Sequence, residues 1–524
     1  MMPVHDAAVK DRKQPSPQWL LIEIGLDEPA GPDPYLEELD VDFTHDSFGT
    51  LRRPAFWDGS RWLVRFASPA SEGVWTWHVA NGQSCGVLVA EGPVASAGHP
   101  SQRHGFLRAS DGMRALVHAD GSPHLVVADT PWALPWRATT EQVRTYASTR
   151  AAQGFNAALL MSVQPDMDAR GPNARDTAYG FAVGFRDLAD GRLTQPDYAY
   201  FAYLDTTVQT LVAAGITPVL QPVFFGFGWK GMRVAGPVVP TEDYARYCRY
   251  LVARYGAWPV MYLVGADGTG LEPQVEAGGR AVELADCYGQ PTGIHYRPHT
   301  APRAHQDAAW LDFQWCQTGH EGEHVPERVA DMWRNEPPKP VMNGEPSYEG
   351  SGAVDKAAGW WQGHEAWSNL CAGATMGVAY GAGSLWQWLV SPDEPGHSDY
   401  FRCPGAGWQE ALHFEGATYV GLVGKILAGL PITDLVPNWD VSVHPRGLLD
   451  PGVLYLRYAE RGGSTRFLDA GDRVPKSYRI VDLRTGRIIQ RGVRPSALDG
   501  VIERPDLDPY VLICFDGEWP EHLA

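Results

Sequence analysis

Two acidic residues, Asp267 and Glu345, each follow a short apolar run that is typical of a buried strand. The runs span 260–266 and 340–344. Two carboxyl groups that face each other across a pocket can cleave a glycosidic bond, because one protonates the leaving oxygen while the other attacks the anomeric carbon, with about 5 Å between them in retaining enzymes. We therefore predict a glycoside hydrolase in which Asp267 is the acid/base and Glu345 the nucleophile.

Strand and helix patterns alternate from about Gly105 onward, and eight strands can be counted. Alternation predicts a parallel sheet, and eight strands predict a closed (β/α)8 TIM barrel. Asp267 and Glu345 would then end strands four and seven, at the barrel mouth where such enzymes keep their active sites. The predicted strands are 124–128, 155–162, 217–224, 260–265, 292–296, 311–317, 340–344 and 377–386.

A doubly wound sheet is the alternative α/β architecture, but the turn after the first strand, 128–132, lacks the glycines of a phosphate-binding loop. Three helices are predicted with capping or stop residues: one from Thr140 that stops at Gly154, and two over 197–214 and 241–255.

Short alternating strands with Gly, Pro, Asp and Ser between them flank the barrel on both sides. They predict an N-terminal β-sandwich over 1–100, the barrel over 101–430 and a C-terminal β-sandwich over 431–524. A hairpin turn is predicted at 484–487. The long polar connection 165–196 is predicted to cover the active site.

Composition narrows the class of partner. A formal net charge of −19 argues against nucleic acid and against an anionic membrane surface. The 20 Trp residues suit sugar binding, since apolar sugar faces lie flat on indole rings, although core packing is the better explanation for any single one. Carbohydrate is therefore the expected partner, and a homo-oligomer is left open.

Targeting signals are not evident in the sequence. No apolar run reaches the roughly 20 residues that a membrane span needs, and 1–18 lacks an apolar signal segment. The seven Cys residues are scattered singly, which does not indicate a disulfide framework. These features predict a cytoplasmic enzyme, although a chain from which a signal had been removed would look the same.

Other polar and aromatic residues near the predicted strand ends are candidates for substrate binding. Acid and amide groups can hold sugar hydroxyls, and Trp can form a platform; each residue alone fits barrel packing as well. Glu349 is also the main rival of Glu345 for the role of nucleophile. The candidates are Asp129, Trp132, Gln164, Gln221, His295, Gln317, His320, Trp386, Trp388 and Glu349.

A metal site is not expected. The segment 320–324 (HEGEH) resembles a zinc-protease motif, but its spacing is wrong and its flanks are loop-like. Metal-dependent barrel hydrolases often place paired His after the first strand, and 128–130 has none. No nucleophile elbow, Walker loop or dinucleotide fingerprint is present, so no cofactor is predicted.

Several segments resemble a known family. The segments 54–59 (PAFWDG), 62–66 and 72–77 are similar to the N-terminal β-sandwich that precedes certain bacterial glycosidase barrels. The segments 105–108 with 128–132, and 343–350 (NGEPSYEG), resemble the apiosidase-like barrel, glycoside hydrolase family 140 and its relatives.

The resemblance covers nearly the whole chain, and the C-terminal region looks like the collagen-binding-like domain often appended to such barrels. It implies a retaining mechanism with Asp267 as acid/base and Glu345 as nucleophile. The chain departs from the family at 265–267 (GAD), where Gly-Gly-Asp or Gly-Gly-Glu is usual.

Three functions remain as hypotheses. The first is a retaining glycosidase that releases a terminal sugar, for example a pentose such as apiose or arabinose, from a short oligosaccharide or glycoside. The second is a non-catalytic carbohydrate-binding protein on a degenerate barrel, against which the intact acid pair argues. The third is a metal-dependent barrel hydrolase, which bound zinc would support.

Overall fold

A closed barrel of eight parallel strands forms the centre of the protein. This confirms the predicted fold class. The structure is a computed structural model, and it describes residues 14–165, 167, 184–226, 233–298, 303–320, 326–351, 359–394, 403, 405–438, 446–466, 473–494, 501–503 and 509–524.

The barrel strands are numbered here from β1 to β8, and each pairs in parallel with the next, with β8 closing onto β1. All eight lie where the sequence predicted strands. The predicted strand 377–386 is too long, because it ends at Tyr380 and a helical turn, Gly383–Trp386, follows. The strands are β1 Val126–Asp129, β2 Ala157–Met161, β3 Thr217–Gln221, β4 Met261–Gly268, β5 Thr292–Tyr296, β6 Phe313–Gln317, β7 Val341–Glu345 and β8 Gly377–Tyr380.

Within the described ranges, seven longer helices pack around the barrel, and the three predicted ones are confirmed. The first has a capping box, but its cap is Thr139 rather than Thr140; it ends at Gly154, which has a left-handed backbone. The helices are α1 Thr140–Gln153, α2 Tyr198–Ala213, α3 Thr241–Tyr255, α4 Pro273–Ala285, α5 Glu327–Trp333, α6 Trp360–Ala372 and α7 Glu415–Leu427, with shorter helical turns at Pro34–Leu36, Ser101–His104, Leu134–Arg137, Leu188–Asp190, Trp408–Ala411 and Glu521–Leu523.

Two sheets form the N-terminal β-sandwich. Phe43 of the larger sheet stacks on Phe66 of the smaller, with ring centroids 4.1 Å apart, so the two sheets share one core. The larger sheet contains Gln14–Gln18, Cys85–Pro93, Val74–Val79, Asp40–His45 and Gly49–Pro54; the smaller contains Leu21–Leu26, Trp62–Ala67 and Phe56–Trp57. A separate antiparallel sheet, Leu107–Ala109, Leu116–His118 and Pro123–His124, leads into β1.

Buried arginines attach the sandwich to the barrel. Arg53 donates to the carbonyl of Val252, and Arg65 donates to the carbonyl of Arg254, both in α3. Arg65 and Arg254 also share the carboxylate of Asp205 in α2. Because each charged group has a partner, this interface fixes the position of the sandwich against two barrel helices.

The C-terminal region is also β-rich. The predicted turn at 484–487 joins Ser477–Asp482 to Ile488–Val493. The segment 440–443, whose alternating sequence favours a further strand, lies outside the described residues. Its sheets contain Val436–Pro437, Gly447–Asp450, Leu454–Ala459, Tyr510–Phe515, Ser477–Asp482 and Ile488–Val493 in one, and Thr465–Arg466 with Val501–Ile502 in the other. Among the described helices, none is long and apolar enough to span a bilayer.

Candidate active site

A bulge in β4 determines the position of Asp267. The pairing of β4 with β5 shifts by one residue between Ala266 and Gly268, so Asp267 has no partner across the ladder. Ala266 accepts from the amide of Phe225 on one side, and Gly268 accepts from that of Arg297 on the other. Asp267 itself has φ +56°, a left-handed conformation that Asp tolerates better than most residues. The bulge thus redirects this carboxyl.

A second register shift lies beside Glu345 at the end of β7. Cys316 pairs with Asn343 and Gln317 with Glu345, so Gly344 is the extra residue. A Cβ on Gly344 would lie 1.3 Å from the indole nitrogen of Trp315, which is fully buried. Only glycine therefore fits between Asn343 and Glu345 while that indole keeps its place.

The two acids meet across the barrel mouth. One side-chain oxygen of Asp267, one of Glu345 and a ring nitrogen of His295 all lie within 4.8 Å of one another. All three side chains are buried, with 4%, 5% and 0% of their surface exposed. Carboxyls this close together can act as a pair, as they do in retaining glycosidases, where about 5 Å separates them.

Two imidazoles lie against Glu345, one beside each oxygen, but only the contact with His320 has the geometry of a hydrogen bond. Nε2 of His295 lies 2.9 Å from Oε2, and Nε2 of His320 lies 2.9 Å from Oε1. His295 comes from β5, and His320 follows β6. In Asp267, by contrast, Oδ1 has no hydrogen-bond partner within the described part of the chain.

The surroundings of Asp267 and Glu345 shift the pKa values of the two carboxyls in opposite directions. Burial and the nearby charge of Glu345 raise the pKa of Asp267 well above its usual value, an effect that Arg297 opposes. Burial also acts to raise the pKa of Glu345, but the contacts with His295 and His320 outweigh it and lower this pKa to about 2. One group is therefore held as an acid and the other as a carboxylate, which is the division of roles that acid-assisted displacement needs.

Tyr348 is a site residue that could not be singled out from the sequence. Its ring centroid lies 4.4 Å from that of His320. Its hydroxyl interacts with Thr130 and Glu345, and burial together with the charge of Glu345 raises the pKa of Tyr348. It lies in the 343–350 segment that carried the family resemblance, but no spacing rule distinguished it.

Glu349 and Asp129 have structural partners instead of facing the acid pair. Glu349 accepts from the Tyr380 hydroxyl and from the backbone amides of Gly359 and Gly416. Asp129 accepts from Arg150 and Tyr146 of α1. Both carboxylates therefore connect the barrel strands to the surrounding helices.

The predicted Trp residues divide into two groups. Trp132 lies beside His295, with ring centroids 5.6 Å apart, and Trp386 lies 6.2 Å from Trp132, so both belong to the mouth. Trp388 stacks on Trp408 at 4.6 Å and donates to Gln142 of α1, away from the acid pair.

The predicted amide side chains also differ in their surroundings. Oε1 of Gln221 lies 3.2 Å from Nδ1 of His295, so Gln221 belongs to the site. Gln164 accepts from the amide of Gly184 at the edge of the 165–196 connection, of which 166 and 168–183 lie outside the described residues. Gln317 ends β6 beside Glu345, and its Oε1 has no hydrogen-bond partner among the described residues.

A buried network behind the acid pair was also missed from sequence. Glu365 of α6 accepts from Thr318 after β6 and from the amide of Ser347 after β7. Ser347 in turn donates to the carbonyl of Gly319, next to His320. Burial raises the pKa of Glu365 to about 7, although these hydrogen bonds oppose the shift. The network joins the two segments that carry His320 and Glu345.

Asp267, His295 and Glu345 are also the one group among the described residues whose donor atoms lie close enough together to hold a cation. His295 and Glu345 already contact each other, and the opposite pKa shifts of the acids fit proton transfer. Of the HEGEH segment, only His320 lies within the described residues.

Comparison with protein families identifies the chain. The family model described as "Apiosidase-like, catalytic domain" matches residues 110–434, which include all eight barrel strands. The chain belongs to the apiosidase-like family. It is a glycoside hydrolase, as the sequence predicted. A second model, "Domain of unknown function (DUF5060)", matches residues 16–81 of the N-terminal sandwich.

Solved structures agree with the fold of this apiosidase-like protein. A Bacteroides vulgatus protein assigned to the glycoside hydrolases aligns with TM-score 0.71 and 16% identity, covering 96% of this chain and 100% of its own. A glycoside hydrolase family 5 protein from the same species aligns with TM-score 0.66 and 19% identity, covering 80% and 96%. Comparison with curated proteins finds no match.

Proposed function

We propose that the protein is a retaining glycosidase that releases a terminal sugar by double displacement. One observation carries the proposal: two buried carboxyls face each other within 4.8 Å, and their pKa values are shifted in opposite directions. Glu345, ionised and flanked by two imidazoles, suits attack on the anomeric carbon. Asp267, protonated in its buried position, suits donation of a proton to the leaving oxygen.

The reaction would proceed in two steps at this pair. Glu345 forms a glycosyl ester while Asp267 gives its proton to the departing alcohol. The negative charge that raises the pKa of Asp267 then disappears with ester formation, so Asp267 becomes a stronger acid and, ionised, a base for the incoming water. Hydrolysis restores both groups to their starting states.

The proposed substrate class is supported by less specific observations than the proposed mechanism is. The name of the family suggests apiose, a branched pentose, as the first sugar to test, with arabinose next. Trp132 and Trp386 lie near the acid pair, and indole rings are the side chains on which apolar sugar faces pack. We propose a short oligosaccharide or small glycoside as the natural substrate.

The direct test is hydrolysis of aryl furanosides and pyranosides of both anomers by the wild type, Asp267→Ala and Glu345→Ala. We expect one sugar to be released and both variants to lose at least about 10³-fold in kcat/KM. Azide should restore turnover in Glu345→Ala by replacing the nucleophile and should give a glycosyl azide of inverted configuration. Turnover that survives both substitutions would overturn the assignment.

Two matched variants make the test specific. Glu349→Gln removes the rival acid, and we expect lower stability without azide rescue. Asp312→Asn removes a partly buried carboxyl that accepts from the amide of Thr292 at the opposite end of the barrel, and we expect turnover to persist. Sugar binding by the wild type without any cleavage would instead favour a binding protein.

A further inference from the structure

Glu365 is a buried acid that the proposed mechanism does not use. It lies in α6, and none of its surface is exposed. Its carboxyl accepts from Oγ1 of Thr318 at 2.8 Å and from the backbone amide of Ser347 at 3.2 Å. A buried carboxyl is stable only when it is hydrogen-bonded, so these two contacts matter to its environment. One side chain of a surrounding helix therefore joins the segments that follow β6 and β7.

The segment after β6 carries His320. The strand ends at Gln317, so Thr318 is the first residue beyond it and His320 the third. Gly319 between them has φ +95°, a left-handed conformation that glycine adopts at little cost. Because a glycine does not restrict the backbone strongly, the direction in which the chain leaves β6 has to be fixed by contacts.

Side-chain hydrogen bonds fix this segment on both sides of the glycine. On one side, Oγ1 of Thr318 donates to Glu365. On the other, Oγ of Ser347 donates to the carbonyl of Gly319 at 3.2 Å. Glu365 thus acts on the segment twice, directly through Thr318 and indirectly through Ser347, whose amide it accepts from.

Two further contacts attach the start of the segment through its backbone. The amide of Thr318 donates to the carbonyl of Glu345 at 3.3 Å, and Arg328 donates to the carbonyl of Thr318 at 2.6 Å. Neither contact uses the carboxyl of Glu365. Both can remain in its absence, so we expect loss of Glu365 to displace the segment and not to unfold it.

The far end of the segment contacts the acid pair. Nε2 of His320 lies 2.9 Å from Oε1 of Glu345, in the geometry of a hydrogen bond. A displacement of about 1 Å would take the two atoms beyond the roughly 3.5 Å at which such a contact ceases to be a hydrogen bond. The contact therefore depends on how exactly the segment is held.

We propose that Glu365 is a positioning residue that acts through His320. Its carboxyl holds the segment after β6 and so keeps Nε2 of His320 within hydrogen-bond distance of Glu345. Glu365 itself does not touch the reacting atoms. The description of Glu345 as nucleophile rests on the proposed function, whereas the connection from Glu365 to His320 does not.

Crystal structures of variants test the connection without any substrate. Glu365→Leu removes both acceptor oxygens in a side chain of similar size, and we expect Nε2 of His320 to move beyond about 3.5 Å from Oε1 of Glu345. Glu365→Gln keeps a hydrogen-bonding group on each branch, and we expect the contact to be retained. A contact that persists in Glu365→Leu would overturn the proposal.

Thr318→Val is a second variant for the case in which Glu365→Leu does not fold. Valine has the shape of threonine but cannot donate to the carboxyl, which keeps its contact with the amide of Ser347. We expect the same displacement of His320. If Glu365→Leu does not fold, a contact between His320 and Glu345 that is unchanged in Thr318→Val overturns the proposal.

Kinetics on the aryl glycoside that the wild type cleaves supply the second arm. We expect Glu365→Leu to lower kcat at least about tenfold and to change KM by less than about twofold, since misplacement by about 1 Å can cost up to about 100-fold in rate. Glu365→Gln should retain most of the wild-type kcat. A loss in Glu365→Gln equal to that in Glu365→Leu would indicate a role of the charge itself and would overturn the proposal.

A double variant shows whether the effect passes through His320. In the His320→Ala background, Glu365→Leu should cause no further loss of kcat, because the group that it positions is already absent. A further loss of about tenfold in that background would show that Glu365 acts independently of His320 and would overturn the proposal.

Asp286→Asn is the matched control. Asp286 also joins neighbouring backbone groups, accepting from the amides of Tyr288 and Gln290, but it lies at the opposite end of the barrel, before β5. We expect the variant to have lower thermal stability, with kcat and the position of His320 unchanged. A loss of kcat as large as that in Glu365→Leu would mean that kcat reports general stability, and it would overturn the proposal.

The structural arm separates this proposal from the proposed function. If the wild type cleaves no glycoside while His320 is displaced in Glu365→Leu and retained in Glu365→Gln, the proposed function fails and the positioning of His320 by Glu365 stands. If glycosides are cleaved and His320 stays in place in Glu365→Leu, the proposed function stands and the positioning role fails.

Discussion

Nε2 of His320 lies 2.9 Å from Oε1 of Glu345, although His320 belongs to the segment after β6 and Glu345 ends β7. The contact helps to lower the pKa of Glu345 below its usual value. We expect His320→Ala to raise this pKa, because one donor to the carboxylate is lost. In a plot of kcat/KM against pH, the acid limb should then shift to higher pH by about one unit, equivalent to ~1.4 kcal/mol.

The control for His320 is His78→Ala, a histidine with 61% of its side chain exposed in the N-terminal sheet. The pH dependence of kcat/KM in His78→Ala should match that of the wild type. An acid limb that stays in place in His320→Ala, with kcat merely reduced, would contradict the electrostatic role of His320.

Asp267→Asn tests the acid/base role without disturbing the backbone. Asn tolerates the left-handed φ of +56° at this position as well as Asp does. We expect the loss of kcat to be greatest for glycosides with poor leaving groups and smallest for dinitrophenyl glycosides, since only the former need a proton. A uniform loss across leaving groups would contradict the role of Asp267 as acid.

The same variant should change how stability depends on pH. The folded-state pKa of Asp267 is raised, so its favourable contribution is present below the unfolded pKa and is lost as pH rises through the folded one. Asp267→Asn does not undergo that loss of stability. The melting temperature of the variant minus that of the wild type should therefore become more positive as the pH rises from 4 to 8. A folded-state pKa that is higher than the unfolded-state pKa by one corresponds to about 1.4 kcal/mol. A constant difference in melting temperature across this range would refute the expectation.

Gly344→Ala should be strongly destabilising. The added Cβ would lie 1.3 Å from the Trp315 indole, a rigid group without room to move. We expect a loss of at least about 3 kcal/mol in the free energy of unfolding, at the upper end for overpacking, measured by urea denaturation. Gly92→Ala is the control, because a Cβ on Gly92 meets nothing within 4 Å. Equal stability of the two variants would mean that Trp315 can move aside.

Three histidines before β1 predict acid sensitivity. Burial lowers the pKa of His99 to about 3, and it also lowers those of His118 and His124. Each is neutral when folded, so stability is full above the unfolded pKa of about 6.5 and falls as pH drops below it, by up to ~1.4 kcal/mol per pH unit for each histidine.

His99→Gln should reduce this slope between pH 6.5 and 4.5, measured by urea denaturation at each pH, whereas the exposed His78→Gln should not. If His99→Gln keeps the slope of the wild type, His99 does not contribute to the acid sensitivity.

Much of the fold was predictable because barrel strands have distinct sequence signals. Strands buried on both faces appear as continuous apolar runs, and helix ends at Gly154 and Tyr255 follow stop signals. Predicted strands ran too long where the chain turns: 377–386 continues into apolar residues that are buried in a helical turn rather than in the sheet. An apolar run alone does not distinguish the two.

The sequence predicted that Asp267 and Glu345 lie close together, but not that the candidates His295 and His320 contact Glu345. Asp267 and Glu345 could be found because barrel topology places strand ends together. The partners of Glu345 are set by register shifts and by loops, as with His320 and Tyr348, and no local pattern records those. For the same reason Glu349 is indistinguishable from a catalytic acid in sequence, although its oxygens are occupied by Tyr380 and two amides.

The bulge at Asp267 helps to explain why this position holds Asp and not the longer Glu. At this left-handed position the single methylene of Asp267 is enough to bring its carboxyl within 4.8 Å of that of Glu345. A glutamate on the same backbone would be strained, and its extra carbon would crowd the gap. In a chain without the bulge, a longer side chain could provide the same reach. The extra residue in the ladder is thus a structural feature that favours Asp over Glu at this strand end.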